Sequence, residues 1–117
     1  MKRNVYEKFK NPGVVGKVPT TFESKKIFEK AGESLVVYIG RLDKNAYDYG
    51  FEINLKDKTH LRRLPGVGSG WFRLKDHALG FALYAILIGF KNRLTNEAEQ
   101  AVKNMITFLI SPELDLK

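Results

Sequence analysis

Residues 56–75 bring together the side chains of this sequence that are best suited to contact a phosphate or a nucleic-acid base. The stretch holds six Lys and Arg against one acid, a Gly-x-Gly-x-Gly loop and the only Trp of the chain. Clustered cations attract phosphate, and an aromatic ring offers a face on which a base can stack. We therefore predict a nucleic-acid contact formed by the following residues: Lys56, Lys58, His60, Arg62, Arg63, Trp71, Arg73 and Lys75.

The glycine loop at residues 66–70 reads Gly-Val-Gly-Ser-Gly. Glycines before a helix can present backbone N–H groups to a phosphate. A Walker loop needs a Lys after its last Gly, and a dinucleotide fingerprint needs a third Gly; Trp71 occupies both places. Neither signature is met, so the loop is interpreted as a hairpin tip. A nonspecific phosphate contact, made by the cations on either side of the loop, stays open as the alternative.

Positive charge is concentrated in the first two-thirds of the chain. The net charge is +7; residues 1–75 carry 16 Lys and Arg against 8 acids, which gives +8, and residues 76–117 carry 4 against 5, which gives −1. This asymmetry favours an anionic partner for the first part of the chain. The competing interpretation is that the lysines only keep the protein in solution.

The residues that catalysis would require are sparse. His60 and His77 are the only histidines, and the chain has no Cys, which excludes a thiol nucleophile and a Cys-based zinc site. Asp48 and Glu52 would share one face of a strand, but alternation places acids in this way on any solvated face. We expect no catalytic residue, no metal and no cofactor, and a binding protein rather than an enzyme.

The sequence also bears on location. The N-terminal residues lack the apolar segment of a secretory signal. The longest apolar run, residues 78–90, has 13 residues with its glycines, whereas a membrane span needs about 20. Together with the absence of Cys, these features predict a cytoplasmic protein that does not enter a membrane.

The pattern of residues predicts an α+β fold. Residues 1–19 are predicted to be a basic irregular arm and residues 20–117 a single α+β domain. A short N-terminal helix is expected at residues 20–31, because Thr20 and Glu23 form a capping box and Gly32 suits a helix end.

Strands are predicted at residues 35–42, in a central position, at residues 46–56 and at about 59–64. Residues 71–74 form either a fourth short strand or the lead into a helix. Within 46–56, apolar and polar residues alternate over ten positions, so one face should pack and the other should be wet. This antiparallel sheet of three to four strands is expected to pack against two C-terminal helices, at 76–93 and 97–110, the second capped by Asn96 and Glu99 and ended by Pro112.

The helix at 76–93 is apolar on nearly every side, which favours a homodimer that covers its excess apolar surface. The functional hypothesis is a small, non-enzymatic, weakly sequence-specific nucleic-acid-binding protein that acts on DNA or RNA. A homo-oligomeric protein-interaction or adaptor domain is the alternative. A metal-dependent phosphodiesterase or nucleotide-binding enzyme is a third possibility.

Overall fold

The computed structural model describes residues 21–66 and 72–115 of the chain. Four strands precede two helices, in this order: β1 (Thr21–Lys30), β2 (Glu33–Asp43), β3 (Ala46–Asn54), β4 (His60–Arg63), α1 (Lys75–Gly89) and α2 (Asn96–Asp115). The predicted arm at residues 1–19 lies outside the described residues, as do Trp71 and residues 67–70 of the glycine loop. The α+β class and the two C-terminal helices are confirmed.

The strands form one antiparallel sheet in which each strand pairs with its neighbour in the chain, in the order β1-β2-β3-β4. Two-residue turns join the first three strands. In the first turn both residues have positive φ, 52° at Ala31 and 86° at Gly32, which is the twist that a tight hairpin needs. The predicted strand at residues 35–42 is β2, and its central position is confirmed. Residues 71–74 are predicted to be either a fourth short strand or the lead into a helix. Of these residues, the structure describes 72–74: Phe72 forms a single bridge to Tyr47, and α1 begins directly after Leu74.

The predicted helix at residues 20–31 is wrong over the residues that the structure describes, because Thr21–Lys30 form strand β1. A capping box is a local signal, whereas a strand is stabilised by pairing with a partner. Here β1 pairs with β2 from Thr21 opposite Arg41 to Lys30 opposite Glu33. Gly32, which suited a helix end, instead completes the hairpin turn.

The alternation predicted for β3 is confirmed, with one correction. Ile53 is buried beneath the helices, and Glu52 lies on the opposite, helix-free face. That face is not wet along its whole length, because Asp48 and Gly50 are buried as well. The chain after β4 crosses closely over Gly50: a Cβ there would lie 2.3 Å from the carbonyl oxygen of Arg63. Glycine at this position therefore permits the close approach.

The two helices cover the other face of the sheet, as predicted. Helix α1 packs on β2 and β3, and α2 packs on α1 and β1. Side chains from all of these elements meet in one core, which includes the following buried residues: Leu35, Val37, Ile53, Ala82, Leu83, Ile86, Ala98 and Val102. Within the described part of the chain, no helix is long and apolar enough to cross a membrane.

The ends of α2 differ from the prediction. Its first turn is capped by Thr95, whose hydroxyl accepts a hydrogen bond of 3.2 Å from the Ala98 backbone N–H, rather than by Asn96. The helix also continues through Pro112 to Asp115. Proline has a φ that fits a helix, and its cost is the loss of one backbone hydrogen bond with some local distortion.

Candidate nucleic-acid interface

Most of the predicted contact residues lie along one edge of the sheet. Strand β4 pairs with β3 from His60 opposite Asn54 to Arg63 opposite Phe51. After the glycine loop, the chain returns to the same side of β3, where Phe72 bridges to Tyr47. This stretch follows seven residue steps of β3, which is roughly 23 Å at the usual rise per residue. We call the following residues the basic edge: Lys56, Lys58, His60, Arg62, Arg63 and Arg73. Lys75, which was also predicted to belong to this contact, lies elsewhere, because its Nζ is 3.3 Å from Glu23 of β1, the strand at the opposite edge of the sheet.

The two ends of the basic edge carry the cations that are least engaged. Lys56 and Lys58 occupy the turn between β3 and β4, and Arg73 lies between the Phe72 bridge and α1. All three side chains are exposed. Among the residues that the structure describes, none of the three has an ion-pair partner. These three cations are therefore available to an external anion.

Glu52 organises the middle of the basic edge on the helix-free face. Its Oε1 accepts a hydrogen bond of 2.6 Å from the Tyr38 hydroxyl, and its Oε2 lies 2.9 Å from His60 Nε2 and 3.2 Å from Arg62 Nη2. The hydrogen bond from Tyr38 is the main cause that lowers the pKa of Glu52 to about 2, and His60 and Arg62 add to it against partial burial. Because an ionised carboxylate only accepts hydrogen bonds, the imidazole Nε2 donates here.

Tyr38 is the neutral member of this cluster. Burial is the largest cause that raises its pKa to about 12, and its hydrogen bond to the Glu52 carboxylate raises it further. The phenol therefore stays protonated and keeps donating to Glu52. The arrangement holds Arg62 and His60 beside an acid, which reduces the positive charge that Arg62 presents to solvent.

Arg63 is held more tightly than any other cation of the basic edge. Its Nη2 donates to the buried Asp48 at 3.1 Å, and its Nε donates to the Tyr49 carbonyl oxygen at 3.2 Å. The guanidinium also lies 4.1 Å from the centre of the Tyr49 ring, a cation–π distance. Asp48 accepts a further hydrogen bond of 2.6 Å from the Gly66 N–H. Asp48 therefore fixes both Arg63 and the first residue of the glycine loop.

An aromatic cluster lies on the helix side of this edge. Phe81 of α1 has its ring centre 5.3 Å from those of both Tyr49 and Phe72, and Tyr49 also lies 6.2 Å from Phe51. Half of the Phe81 side chain is exposed, at 50%. Apolar rings are thus accessible beside the cations, although Trp71, the predicted stacking residue, lies outside the described residues.

Sequence reasoning missed the acids that pair with the predicted cations. Each of three acids engages a cation that was predicted to meet phosphate. Glu52 pairs with Arg62, Asp48 pairs with Arg63, and Glu23 contacts Lys75 at 3.3 Å. The alternation in β3 was the available signal, because it placed Asp48 and Glu52 on one face. Which cation each acid pairs with depends on the register of β4, which is a long-range property. Asp48 and Glu52 have separate partners, and no group of three His, Cys, Asp or Glu side chains that could hold a metal occurs in residues 21–66 and 72–115.

Comparison with known proteins found no match for this chain among family models, curated proteins or solved structures.

Proposed function

We propose that this chain is a non-enzymatic, weakly sequence-specific nucleic-acid-binding protein whose phosphate contacts lie along the basic edge. The observation that carries the proposal is that cations from the β3–β4 turn, from β4 and from the segment between Phe72 and α1 fall on one side of one strand. Their span of roughly 23 Å corresponds to about seven base-pair steps along the axis of a duplex.

The contacts within the edge assign different roles to these cations. Lys56, Lys58 and Arg73 are exposed and have no acid partner among the described residues, so they are the strongest candidates for phosphate contact. Arg62 pairs with Glu52 and Arg63 with Asp48, so each would share its guanidinium between that acid and a phosphate. None of these contacts reads a base edge, which supports weak sequence specificity.

The proposal covers DNA and RNA. It also retains a cytoplasmic location, because a protein without Cys forms no disulfide and therefore does not need an oxidising compartment.

Fluorescence anisotropy with labelled single- and double-stranded DNA and RNA, over a series of salt concentrations, tests the proposal. We expect micromolar binding at low salt and a logarithmic salt dependence with a slope of about −0.7 to −0.9 per phosphate contact. Absence of binding to all four probes at low salt would contradict it.

Single substitutions then locate the contact. Lys58→Ala and Arg73→Ala should each reduce the salt slope by about one contact. Lys25→Ala is the matched control, because Lys25 is an exposed cation on β1, at the opposite edge of the sheet. If Lys25→Ala weakens binding as much as Arg73→Ala does, the contact is not confined to the basic edge.

A protein-interaction role is the second candidate. The observation that favours it is a row of exposed apolar side chains on α1, which the basic edge does not use.

A further inference from the structure

Helix α1 exposes a row of side chains at a regular spacing. Leu74, just before the helix, is followed by four helical residues at intervals of three, four, three and four: His77, Phe81, Tyr84 and Ile88. We call these five residues the α1 stripe. Its apolar members are 56% exposed at Leu74, 50% at Phe81, 49% at Tyr84 and 73% at Ile88.

The rest of α1 is already covered. Ala78, Leu79, Ala82, Leu83 and Ile86 are buried against the sheet and α2. Because α1 is apolar on nearly every side, it has no polar face to turn toward water. The α1 stripe is the side that the sheet and α2 leave largely exposed, although Phe81 also contacts Tyr49 of β3. A contiguous exposed row of this kind marks an interaction surface.

We propose that the α1 stripe is covered by the α1 stripe of a second copy of this chain, in an antiparallel arrangement about a two-fold axis. Side chains spaced alternately by three and four residues form the seam along which two helices interdigitate. In a two-fold contact the same patch serves both copies, so a single stripe is sufficient.

The spacing of the stripe fixes the register. An antiparallel seam places Phe81 against the partner's Tyr84, His77 against the partner's Ile88, and Leu74 against the partner's Lys91. The axis then passes between Phe81 and Tyr84. The ends of the seam are complementary in charge, because this register brings Asp76 of one copy close to the partner's Lys91. Both side chains are exposed, and neither has an ion-pair partner among the described residues.

The exposed area is consistent with such a contact. At roughly 100 Å² for each half-exposed large side chain, the four apolar members of the stripe supply about 400 Å² per copy. A standard interface buries about 800 Å² per partner, of which somewhat more than half is apolar. The polar neighbours of the stripe supply the remainder.

The position of the stripe relates the two copies to the basic edge. Helix α1 starts beside the Phe72 bridge at one end of β3, and Arg93, just after it, donates to Asp57 in the β3–β4 turn at the other end. The α1 stripe and the basic edge therefore extend over the same length of β3. Pairing through the stripe would bring two basic edges into one particle and increase its avidity for a polyanion.

Light scattering of the full chain after gel filtration tests the pairing. We expect a mass of twice 13.4 kDa for the wild type at micromolar concentration. Ile88→Lys and Tyr84→Lys should each dissociate the dimer and give a mass of 13.4 kDa, while circular dichroism shows an unchanged fold. Phe108→Lys is the matched control and should stay dimeric, because Phe108 is a 65% exposed apolar residue on α2, outside the stripe.

Other results would overturn the proposal. A monomeric wild type would overturn it. If the wild type is monomeric, a loss of stability in Tyr84→Lys would show that another part of the same chain covers the stripe. A dimer that persists in both Lys variants, or one that dissociates in Phe108→Lys, would place the interface elsewhere.

Disulfide cross-linking tests the register, since the chain has no cysteine of its own. Tyr84→Cys should oxidise to a covalent dimer, because position 84 lies beside the axis. Ile88→Cys alone should not, since the two copies of position 88 would lie about 16 Å apart at 1.5 Å of rise per residue. An equimolar mixture of Ile88→Cys and His77→Cys should cross-link. Efficient cross-linking of Ile88→Cys alone would indicate parallel helices and contradict the proposed register.

Discussion

Arg63 donates from Nη2 to both carboxylate oxygens of Asp48, at 3.1 Å and 3.4 Å, and Asp48 has no exposed side-chain surface. The same carboxylate accepts the backbone N–H groups of Tyr49 at 2.8 Å and Gly66 at 2.6 Å. One buried acid thus joins the edge cation, strand β3 and the start of the glycine loop. Hydrogen bonds from several donors are what make a buried charge tolerable in a protein interior.

Replacing Asp48 should destabilise the fold strongly. Asp48→Ala leaves Arg63 Nη2 and the backbone N–H groups of Tyr49 and Gly66 without their acceptor, and the expected loss is about 3 kcal/mol of unfolding free energy. Urea denaturation followed by circular dichroism measures it. Glu29→Ala is the control: it removes an exposed ion pair with Lys26 and should cost less than about 1 kcal/mol. Equal losses in the two variants would show that Asp48 does not have this structural role.

Removing the charge of Glu52 should strengthen nucleic-acid binding. Glu52→Gln frees Arg62 and His60 from an acid and removes one negative charge from beside the basic edge. We expect about fivefold tighter binding at low salt, which corresponds to roughly 1 kcal/mol. Glu97→Gln makes the same change of charge on α2, where Glu97 pairs with Lys30 of β1, and should have little effect. Anisotropy titrations of both variants decide the point, and weaker binding by Glu52→Gln would mean that Glu52 orients Arg62 for contact.

The sequence predicted best where a pattern is local and repeated. The alternation in β3 identified its two faces, and the β-branched and aromatic run of β2 identified a central strand. For β1 the pattern failed, since Ser24, Lys25 and Lys26 carry little periodic signal and the nearby capping box pointed to a helix. The factor that decided the outcome, an edge of β2 that needs a partner, is not visible within residues 21–30.

The candidate site followed the same rule. Charge counting identified the cations of residues 56–75 without the acids that accompany them, because Arg62 pairs with Glu52 and Arg63 with Asp48 across the β3–β4 register. Those pairs join residues 10 and 15 positions apart. Only the register of the two strands reveals which cations are shared with an acid and which remain available.

The start of α2 should be sensitive to Thr95. Its hydroxyl donates to the buried Glu33 at 2.6 Å and accepts from the Ala98 N–H, while its backbone N–H also donates to Glu33 at 3.1 Å. Thr95→Ala removes the cap and one donor to Glu33, so we expect a loss of about 1–2 kcal/mol. Thr95→Ser keeps the hydroxyl and should recover most of that loss in the same urea titration. If Ser and Ala are equally destabilising, the hydroxyl is not the stabilising group.

The Tyr38–Glu52 hydrogen bond should make stability depend on pH at both extremes. The pKa of Glu52 is lowered from 4.5 to about 2, so its contribution is complete above pH 4.5 and is lost as the pH falls toward 2. The pKa of Tyr38 is raised from 10.0 to about 12, so its contribution is complete below pH 10 and is lost as the pH rises toward 12.

Comparison of the wild type with Tyr38→Phe isolates this bond, because the variant keeps the ring and removes only the hydroxyl. The difference in unfolding free energy between the two proteins should be constant from about pH 5 to about pH 9 and should shrink on either side. Urea denaturation across this range measures the difference, and the absorbance of the phenolate reports the ionisation of Tyr38 directly. A difference that stays constant down to about pH 3 would contradict the role of Tyr38 in keeping Glu52 ionised, since below pH 4.5 the unfolded chain takes up a proton at Glu52 that the hydrogen-bonded carboxylate of the folded wild type resists.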